Sequence, residues 1–174
     1  RLAALLSERH PVVAGRHQGP TPDGIETVPL DLLSPASADR ALSVSRAEGV
    51  LHAGALADPD RCERDVPAAV ALNTDASAVL ARLCRSRGLR LVALSTDLVF
   101  PGDRPAWRED DRPSPLLAYG RTKLAGEEAI LAEHPSAAVA RVALVIGQGF
   151  GSRPSASEGV AWSLRQGKRV RLFT

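Results

Sequence analysis

Short apolar runs alternate along this chain with stretches whose apolar residues recur every three or four positions. The runs have the length of buried strands, and the periodic stretches have the spacing of one helix face. Strands are predicted near residues 12–14, 27–30, 50–55, 89–94, 138–146 and 169–173. Helices are predicted over residues 1–9, 35–47, 68–87, 115–133 and 157–166, with a charged loop and the start of a helix at 58–65.

The regular alternation of strands and helices favours an α/β fold. Strands that are nearly continuous apolar runs are typical of a parallel sheet covered by helices on both faces. We therefore predict a doubly wound parallel sheet. Ligands of such folds bind at the carboxyl ends of the strands. Polar or small residues follow the predicted strands at Arg16, His17, Asp31, 53–55, 95–97 and in the loop from Gly147.

Two predicted helices begin with a serine followed by proline. Ser34 precedes Pro35, and Ser114 precedes Pro115. Serine is a good N-cap, and proline is tolerated in the first turn because its missing N–H has no helical partner there. We predict that both serines cap their helices.

A tyrosine and a lysine stand four residues apart in the predicted helix 115–133. Tyr119 is the one tyrosine of the chain, and Lys123 is one of two lysines in a sequence that otherwise uses arginine. Residues four apart share a helix face, so this pair can face the polar triplet 95–97 at a strand end. Such an arrangement can hand a proton to a carbonyl oxygen while a hydride arrives at its carbon. The alternative is a surface lysine and a half-buried tyrosine on an amphipathic helix.

Composition narrows the class of protein. The 174 residues are enough for one domain with a full core, and 44% apolar and 24% charged residues are ordinary values for a soluble chain. The net charge of +2 is spread out, which argues against a nucleic-acid partner. No apolar run approaches the roughly 20 residues of a membrane span. Cys62 and Cys84 suggest neither a disulfide framework nor a metal site, so we expect a cytoplasmic protein and assign no metal-ligating residue, while metal dependence stays open.

The ends of the sequence suggest a piece of a longer protein. The chain contains no methionine, and residues 1–6 already have the pattern of the middle of a helix. The run 169–173 has the pattern of a strand that is still under way.

The segments around the triplet and the tyrosine resemble a known family. They are STDLVF at 95–100, WREDD at 107–111, PSPL at 113–116 and YGRTKLAGE at 119–127. Together they resemble the extended short-chain dehydrogenase/reductase superfamily, and within it the dTDP-4-dehydrorhamnose reductase family. Further matching positions are 53–55, Asp60, Cys62, Glu63 and Asn73.

The resemblance implies a Rossmann-type domain of which this chain lacks some parts. Family members begin with a strand and a glycine-rich loop that cradles the cofactor pyrophosphate at a helix N-terminus. That segment and most of the C-terminal substrate portion are expected to lie outside the sequence. We expect residues 1–155 to be the NAD(P)-binding domain and residues 156–174 to begin the substrate-binding portion.

The resemblance also implies catalytic roles. Tyr119 would be the general acid that protonates the substrate carbonyl, and Lys123 would lower the tyrosine pKa and bind the nicotinamide ribose. Thr96 would hold the carbonyl oxygen and bind substrate. Asp97 would contact substrate hydroxyls, or alternatively cap the loop that follows. Ser95 would support the cofactor at the strand end, or alternatively cap local backbone.

Further residues would bind the dinucleotide. Arg16 follows the second strand of the family pattern, where an arginine suits a 2′-phosphate and therefore favours NADP(H) over NAD(H). His17 would assist it. Asp31 and Leu32 would meet the adenine, and the small residues 53–55 would let the backbone approach the cofactor. Tyr119 and Lys123 would complete this set.

Two residues depart from the family pattern on the substrate side. Leu98 stands where the family usually has tyrosine, and Leu144, assigned to the substrate site, stands where a tryptophan is common. Losing both rings removes stacking surface for a sugar. The expected substrate is therefore a keto-deoxysugar nucleotide or a related carbonyl.

The leading functional hypothesis is an NAD(P)H-dependent reductase of a keto-deoxysugar nucleotide in carbohydrate biosynthesis. One alternative is a non-catalytic, NADP-binding regulatory subunit like that of methionine adenosyltransferase. Another is a sugar-nucleotide epimerase or dehydratase. It ranks lower because dehydratases use two acidic residues next to the threonine, and here only Asp97 follows Thr96. A homodimer is compatible with each hypothesis.

Overall fold

The computed structural model describes residues 2–18, 23–143 and 156–169. The chain divides into two compact units. The described part of the larger unit is 13–18 and 26–143, and that of the smaller unit is 2–12, 23–25 and 156–169. The larger unit contains all five described strands, whereas the smaller contains two helices.

Every strand in the described residues pairs in parallel, which confirms the predicted fold class. The strands are β1 (Val13–Arg16), β2 (Glu26–Pro29), β3 (Gly49–His52), β4 (Arg90–Thr96) and β5 (Ala138–Val142). β1 pairs with β2, and β4 lies between β3 and β5. The register places Leu51 opposite Val92 and Ser95 opposite Arg141. The ladders form two parallel sheets where we predicted one.

The helices lie close to their predicted positions. They are α1 (Leu2–Ser7), α2 (Pro35–Ser45), α3 (Pro59–Arg64), α4 (Val66–Val70), α5 (Ala76–Ser86), α6 (Ala118–Glu133) and α7 (Ala156–Arg165). The Ser34 cap is confirmed, because its hydroxyl accepts the Ser37 amide at 3.3 Å. None of the described helices is both long enough and apolar enough to cross a bilayer.

A core of small and branched side chains fixes α5 and α6 against β4. Its buried members are Leu80, Ala81, Cys84, Leu91, Ala93 and Ile130. The opposite face of β3 and β4 is more open, since Leu51 and Val92 are 37% and 38% exposed. Both cysteines are free and buried, as expected for small hydrophobic residues.

The helix predicted over 68–87 is interrupted in the structure. A π-helical turn, Ala71–Asp75, separates α4 from α5. The Asn73 side chain accepts the Leu56 amide at 2.8 Å and donates to the Leu56 carbonyl at 3.2 Å. It also donates to the Thr122 hydroxyl at 3.0 Å. These tertiary bonds explain a widened turn that hydrophobic periodicity cannot reveal.

A buried polar chain continues from this turn towards β3. The Ser77 hydroxyl donates to the Asn73 carbonyl at 2.9 Å and lies 3.0 Å from His52 Nε2. His52 is 4% exposed, and burial together with the nearby Lys123 lowers its pKa to about 4. His52 is therefore neutral at physiological pH.

A Gly126→Ala substitution should destabilise the protein. A Cβ at Gly126 would overlap the Asn73 carbonyl oxygen, and the π turn and α6 would have to separate. We expect a loss of about 1–3 kcal/mol in the free energy of unfolding, measured by urea denaturation. Gly159→Ala on α7 is the matched control, because nothing in the described part of the chain lies within 4 Å of its Cβ position. The control should be neutral or stabilising, and equal losses in both variants would contradict the packing argument.

Neutral burial of His52 should make stability depend on pH. Between pH 6.5 and about 4 the unfolded chain binds a proton at this position that the folded chain does not. The free energy of unfolding should therefore fall by about 3 kcal/mol as pH drops through this window. His52→Gln should flatten this part of the profile, as measured by urea unfolding at a series of pH values. His10→Gln, at an exposed position, should leave the profile unchanged; equal slopes in all three proteins would refute the assignment.

Candidate active site

Thr96 ends β4 and begins a short 3₁₀ turn at Asp97–Val99. Its hydroxyl accepts the Leu98 amide at 3.2 Å and donates to Asp97 Oδ1 at 3.2 Å. Thr96 is buried, whereas Asp97 and Leu98 are exposed. The strand end thus presents a fixed hydroxyl beside a carboxylate that solvent can reach.

Lys123 lies one helical turn beyond Tyr119 on α6 and is almost fully buried, with 7% of its surface exposed. Its ammonium group donates to the Leu94 carbonyl on β4 at 2.7 Å. Burial lowers the pKa of Lys123, and the carboxylate of Glu127 opposes this shift. The lysine is therefore anchored beneath the strand end.

Tyr119 is half-buried, and burial raises the pKa of its phenol. The Thr96 hydroxyl works in the opposite direction, whereas the nearby Cys62 and Asp97 raise the pKa further. The phenol is therefore protonated at neutral pH. The shift is opposite to the lowering that the resemblance implies, because the Lys123 ammonium is directed to the Leu94 carbonyl.

The start of α6 is set by a residue from another helix. The Glu63 carboxylate on α3 accepts the Ala118 amide at 2.6 Å, and the N-cap residue Leu117 provides no side-chain bond. The predicted cap by Ser114 is therefore wrong. Its helix starts at Ala118, and the acceptor comes from a residue 55 positions away. Sequence patterns report local caps and miss an acceptor of this kind.

Gly120 brings the same end of α6 against the turn after β4. A Cβ at this position would overlap the Leu98 carbonyl oxygen and crowd Pro115. Only a glycine permits this approach. The contact holds Tyr119 next to the Thr96 turn.

The predicted adenosine-binding residues form a second group at the ends of β1 and β2. Arg16 is the exposed last residue of β1, and its carbonyl accepts the Leu30 amide at 2.8 Å. His17 Nδ1 lies 4.0 Å from Asp31 Oδ1. Asp31 also accepts the Leu33 amide at 3.0 Å, so its carboxylate is oriented by backbone. The structure thus places two predicted residues, His17 and Asp31, side by side.

Small residues follow β3 beside this group. A Cβ at Gly54 would meet the Leu32 side chain, so these two predicted residues are in contact. Ala53 is exposed, and Ala55 is partly so. The exposed Arg16 at one strand end and short side chains at the next suit an anionic dinucleotide. These residues fit the adenosine half of a nicotinamide cofactor.

Two predicted site residues, Ser95 and Leu144, are not assigned to either group. The Ser95 hydroxyl is buried and donates to Glu127 beneath the strand end, so its part in cofactor binding stays a prediction. Leu144 lies outside the described residues, as does the Gly147 loop.

Sequence reasoning gave no role to three charged residues that contact the site. They are Glu63, Glu127 and Arg141. Glu127 continues the four-residue spacing of Tyr119 and Lys123, which was a signal available in the sequence. Within 2–18, 23–143 and 156–169, no group of three His, Cys, Asp or Glu side chains could hold a metal ion.

Parallel sheets with flanking helices, and a Tyr–Lys pair beside a strand-end threonine, define an extended short-chain dehydrogenase/reductase. The family model of the RmlD substrate binding domain matches residues 1–165. The chain belongs to this family.

The relatives that the chain matches carry two different names. The chain is 39% identical to dTDP-4-dehydrorhamnose reductase of Mycobacterium tuberculosis over 127 residues, covering 70% of this chain and 41% of that protein. It is 42% identical to methionine adenosyltransferase 2 subunit beta of Pongo abelii over 99 residues, covering 57% and 30%. The chain thus spans less than half the length of these relatives.

A solved structure gives the same fold. It is dTDP-4-dehydrorhamnose reductase from Bacillus anthracis in complex with NADP, with a TM-score of 0.71 and 26% identity. The superposition covers 82% of this chain and 51% of that one.

Removing the carboxylate that caps α6 should weaken the fold. Glu63→Ala leaves the Ala118 amide without its acceptor, and we expect a loss of about 1 kcal/mol in the free energy of unfolding. Glu63→Gln keeps an oxygen acceptor and should lose less. Glu128→Ala, at an exposed position of α6, is the control and should change stability by less than about 0.5 kcal/mol. Urea unfolding followed by circular dichroism measures all three, and a loss no larger in Glu63→Ala than in the control would contradict the cap.

Proposed function

We propose that this chain is the cofactor-binding part of an NADPH-dependent reductase of a keto-deoxysugar nucleotide, with Tyr119 as proton donor. One observation carries the proposal. A protonated, half-buried phenol lies near the strand-end Thr96, and a buried ammonium lies one turn further along the same helix. This is the arrangement that carbonyl reduction requires.

The chemistry follows from these positions. Thr96 and Tyr119 hold the substrate carbonyl oxygen, and the bound nicotinamide supplies the hydride to the carbonyl carbon. As negative charge develops on the oxygen, Tyr119 transfers its phenolic proton to it. Lys123 stabilises the phenolate that remains, because an ammonium favours the charged form of a neighbouring acid. Positioned proton transfer of this kind contributes roughly 10²–10⁴-fold to the rate.

For the cofactor, the exposed end of β1 supports NADP(H). Arg16 is free to meet a 2′-phosphate, and His17 lies beside it. Asp31, oriented by the Leu33 amide, is in place to accept from the adenine amino group. The NADP bound to the Bacillus anthracis relative is consistent with this choice.

For the substrate, the exposed pair after Thr96 supports a sugar with both polar and apolar parts. Asp97 is available to accept sugar hydroxyls. Leu98 is 39% exposed and offers an apolar surface in the place of a ring. A deoxysugar, in which a hydrogen replaces a hydroxyl and leaves an apolar methyl or methylene group, suits this combination.

A specific observation also favours a non-catalytic regulatory subunit. Relatives named methionine adenosyltransferase 2 subunit beta are 41–43% identical over 99 residues. In addition, the Lys123 ammonium is bonded to backbone. A protein that binds NADP(H) without turnover would keep the same pocket.

The test is NADPH oxidation by the full-length protein with a panel of keto-deoxysugar nucleotides, together with NADPH and NADH affinities by calorimetry. We expect turnover, and a Tyr119→Phe variant should lose at least about 100-fold in kcat because the ring stays and the proton is lost. Lys123→Ala should lose both turnover and NADPH affinity. Lys168→Ala removes the other lysine, which is exposed, and should behave as the parent protein.

The outcomes separate the two functions. Tight NADPH binding without turnover on any substrate would favour the regulatory subunit. Turnover that survives Tyr119→Phe would contradict the assignment of the proton donor. Failure to bind either dinucleotide would refute both functions.

A further inference from the structure

Tyr119 and Lys123 stand four residues apart on α6, and Glu127 continues the same spacing. The spacing of four places all three on one face of the helix. Glu127 is 5% exposed, which is rare for a carboxylate and requires compensation by hydrogen bonds and charge.

Two neighbouring strands supply that compensation. The Arg141 guanidinium of β5 donates through Nη2 to Glu127 Oε2 at 2.7 Å and through Nε to both carboxylate oxygens at 3.1 Å. The Ser95 hydroxyl of β4 donates to Glu127 Oε1. Ser95 and Arg141 are register partners, so one carboxylate bridges two adjacent strands directly under the site.

The same carboxylate acts on Lys123. The ammonium is bonded to the Leu94 carbonyl, and Leu94 immediately precedes the Ser95 whose hydroxyl binds Glu127. Burial lowers the pKa of Lys123, and Glu127 is the anion that counteracts this shift. The lysine and the carboxylate therefore share one short segment of β4.

We propose that Glu127 is a positioning residue for Lys123. Its carboxylate keeps the buried lysine in the ammonium form and, through Ser95 and Arg141, fixes the strand end against which Tyr119 works. The catalytic part of this inference rests on the proposed reductase function. The electrostatic action of Glu127 on Lys123 does not depend on that function.

None of the other ionisable groups described around Lys123 supplies a buried negative charge, so we assign this role to Glu127. His52 from β3 is neutral at physiological pH, because burial and Lys123 lower its pKa to about 4. Tyr119 is protonated, and Asp97 is exposed at the start of the 3₁₀ turn. Arg141 from β5 is a cation, and its charge is directed to the Glu127 carboxylate.

The experiment is an NMR titration of the lysine side chains in the full-length protein labelled with ¹³C and ¹⁵N lysine. Lys123 is assigned by its loss in Lys123→Arg, and the exposed Lys168 is an internal reference. In Glu127→Gln, the Lys123 titration midpoint should move to lower pH, while Lys168 stays in place. The amide keeps the shape and loses the charge, so a purely structural role would not move this signal.

Glu133→Gln is the matched control. Glu133 lies on the same helix and forms a two-point pair with Arg82, at 2.6 and 3.1 Å, on the surface. Removing its charge should leave the Lys123 midpoint unchanged. Glu127→Asp keeps the charge but shortens the side chain by one methylene. The Lys123 midpoint in this variant should therefore lie between those of the parent protein and Glu127→Gln.

The possible results decide the inference. An unchanged Lys123 midpoint in a folded Glu127→Gln protein would overturn it, as would an equal shift in Glu133→Gln. If Glu127→Gln does not fold, the Glu127→Asp midpoint decides, and no shift there would overturn the inference.

Turnover separates this inference from the proposed function. In an active enzyme, Glu127→Gln should lower kcat about 10-fold and move the alkaline limb of the pH–rate profile to lower pH. A shifted Lys123 midpoint in a protein without turnover would contradict the reductase and support the electrostatic action of Glu127 on Lys123.

Discussion

Helix α6 buries charge on the face that packs on the sheet, and the site depends on how that charge is compensated. A buried ion without a partner costs several kcal/mol, so its surroundings must be built around it. Lys123 is bonded to the Leu94 carbonyl, and Glu127 is paired with Arg141. These two bonds admit only one rotation of the helix about its axis. Tyr119 then falls beside Thr96 because it shares the face of the two buried ions.

Close backbone contacts further restrict the position of α6. Gly120 lies against the Leu98 carbonyl and Gly126 against the Asn73 carbonyl, so α6 approaches the β4 turn at one end and the π turn further along. The Glu63 carboxylate then fixes where the helix begins. Packing, capping and charge pairing thus agree on one position for the phenol. Such agreement across levels is what gives a site a single geometry.

Local patterns predicted much of this architecture, and the misses share one physical cause. The Ser34 cap and the parallel strands follow from chemistry within a few residues of each other, and both are present. The π turn depends on Asn73 reaching Leu56 and Thr122, which are 17 and 49 positions away. The start of α6 depends on Glu63 in the same way. Periodicity and local caps cannot report a partner that only the folded chain supplies, and Glu127 was missed for that reason although its spacing was visible.

The raised pKa of Tyr119 bears on the proton transfer that we propose. A reduction needs the phenol protonated when substrate binds, and burial beside Asp97 ensures this at neutral pH. An oxidation needs the phenolate, which would call for a cation directed at the phenol oxygen. Here the Lys123 ammonium is bonded to the Leu94 carbonyl instead. The proposed reduction also leaves the phenolate once the proton is transferred, so Lys123 has to act on that charge from its place at the Leu94 carbonyl, one turn along α6.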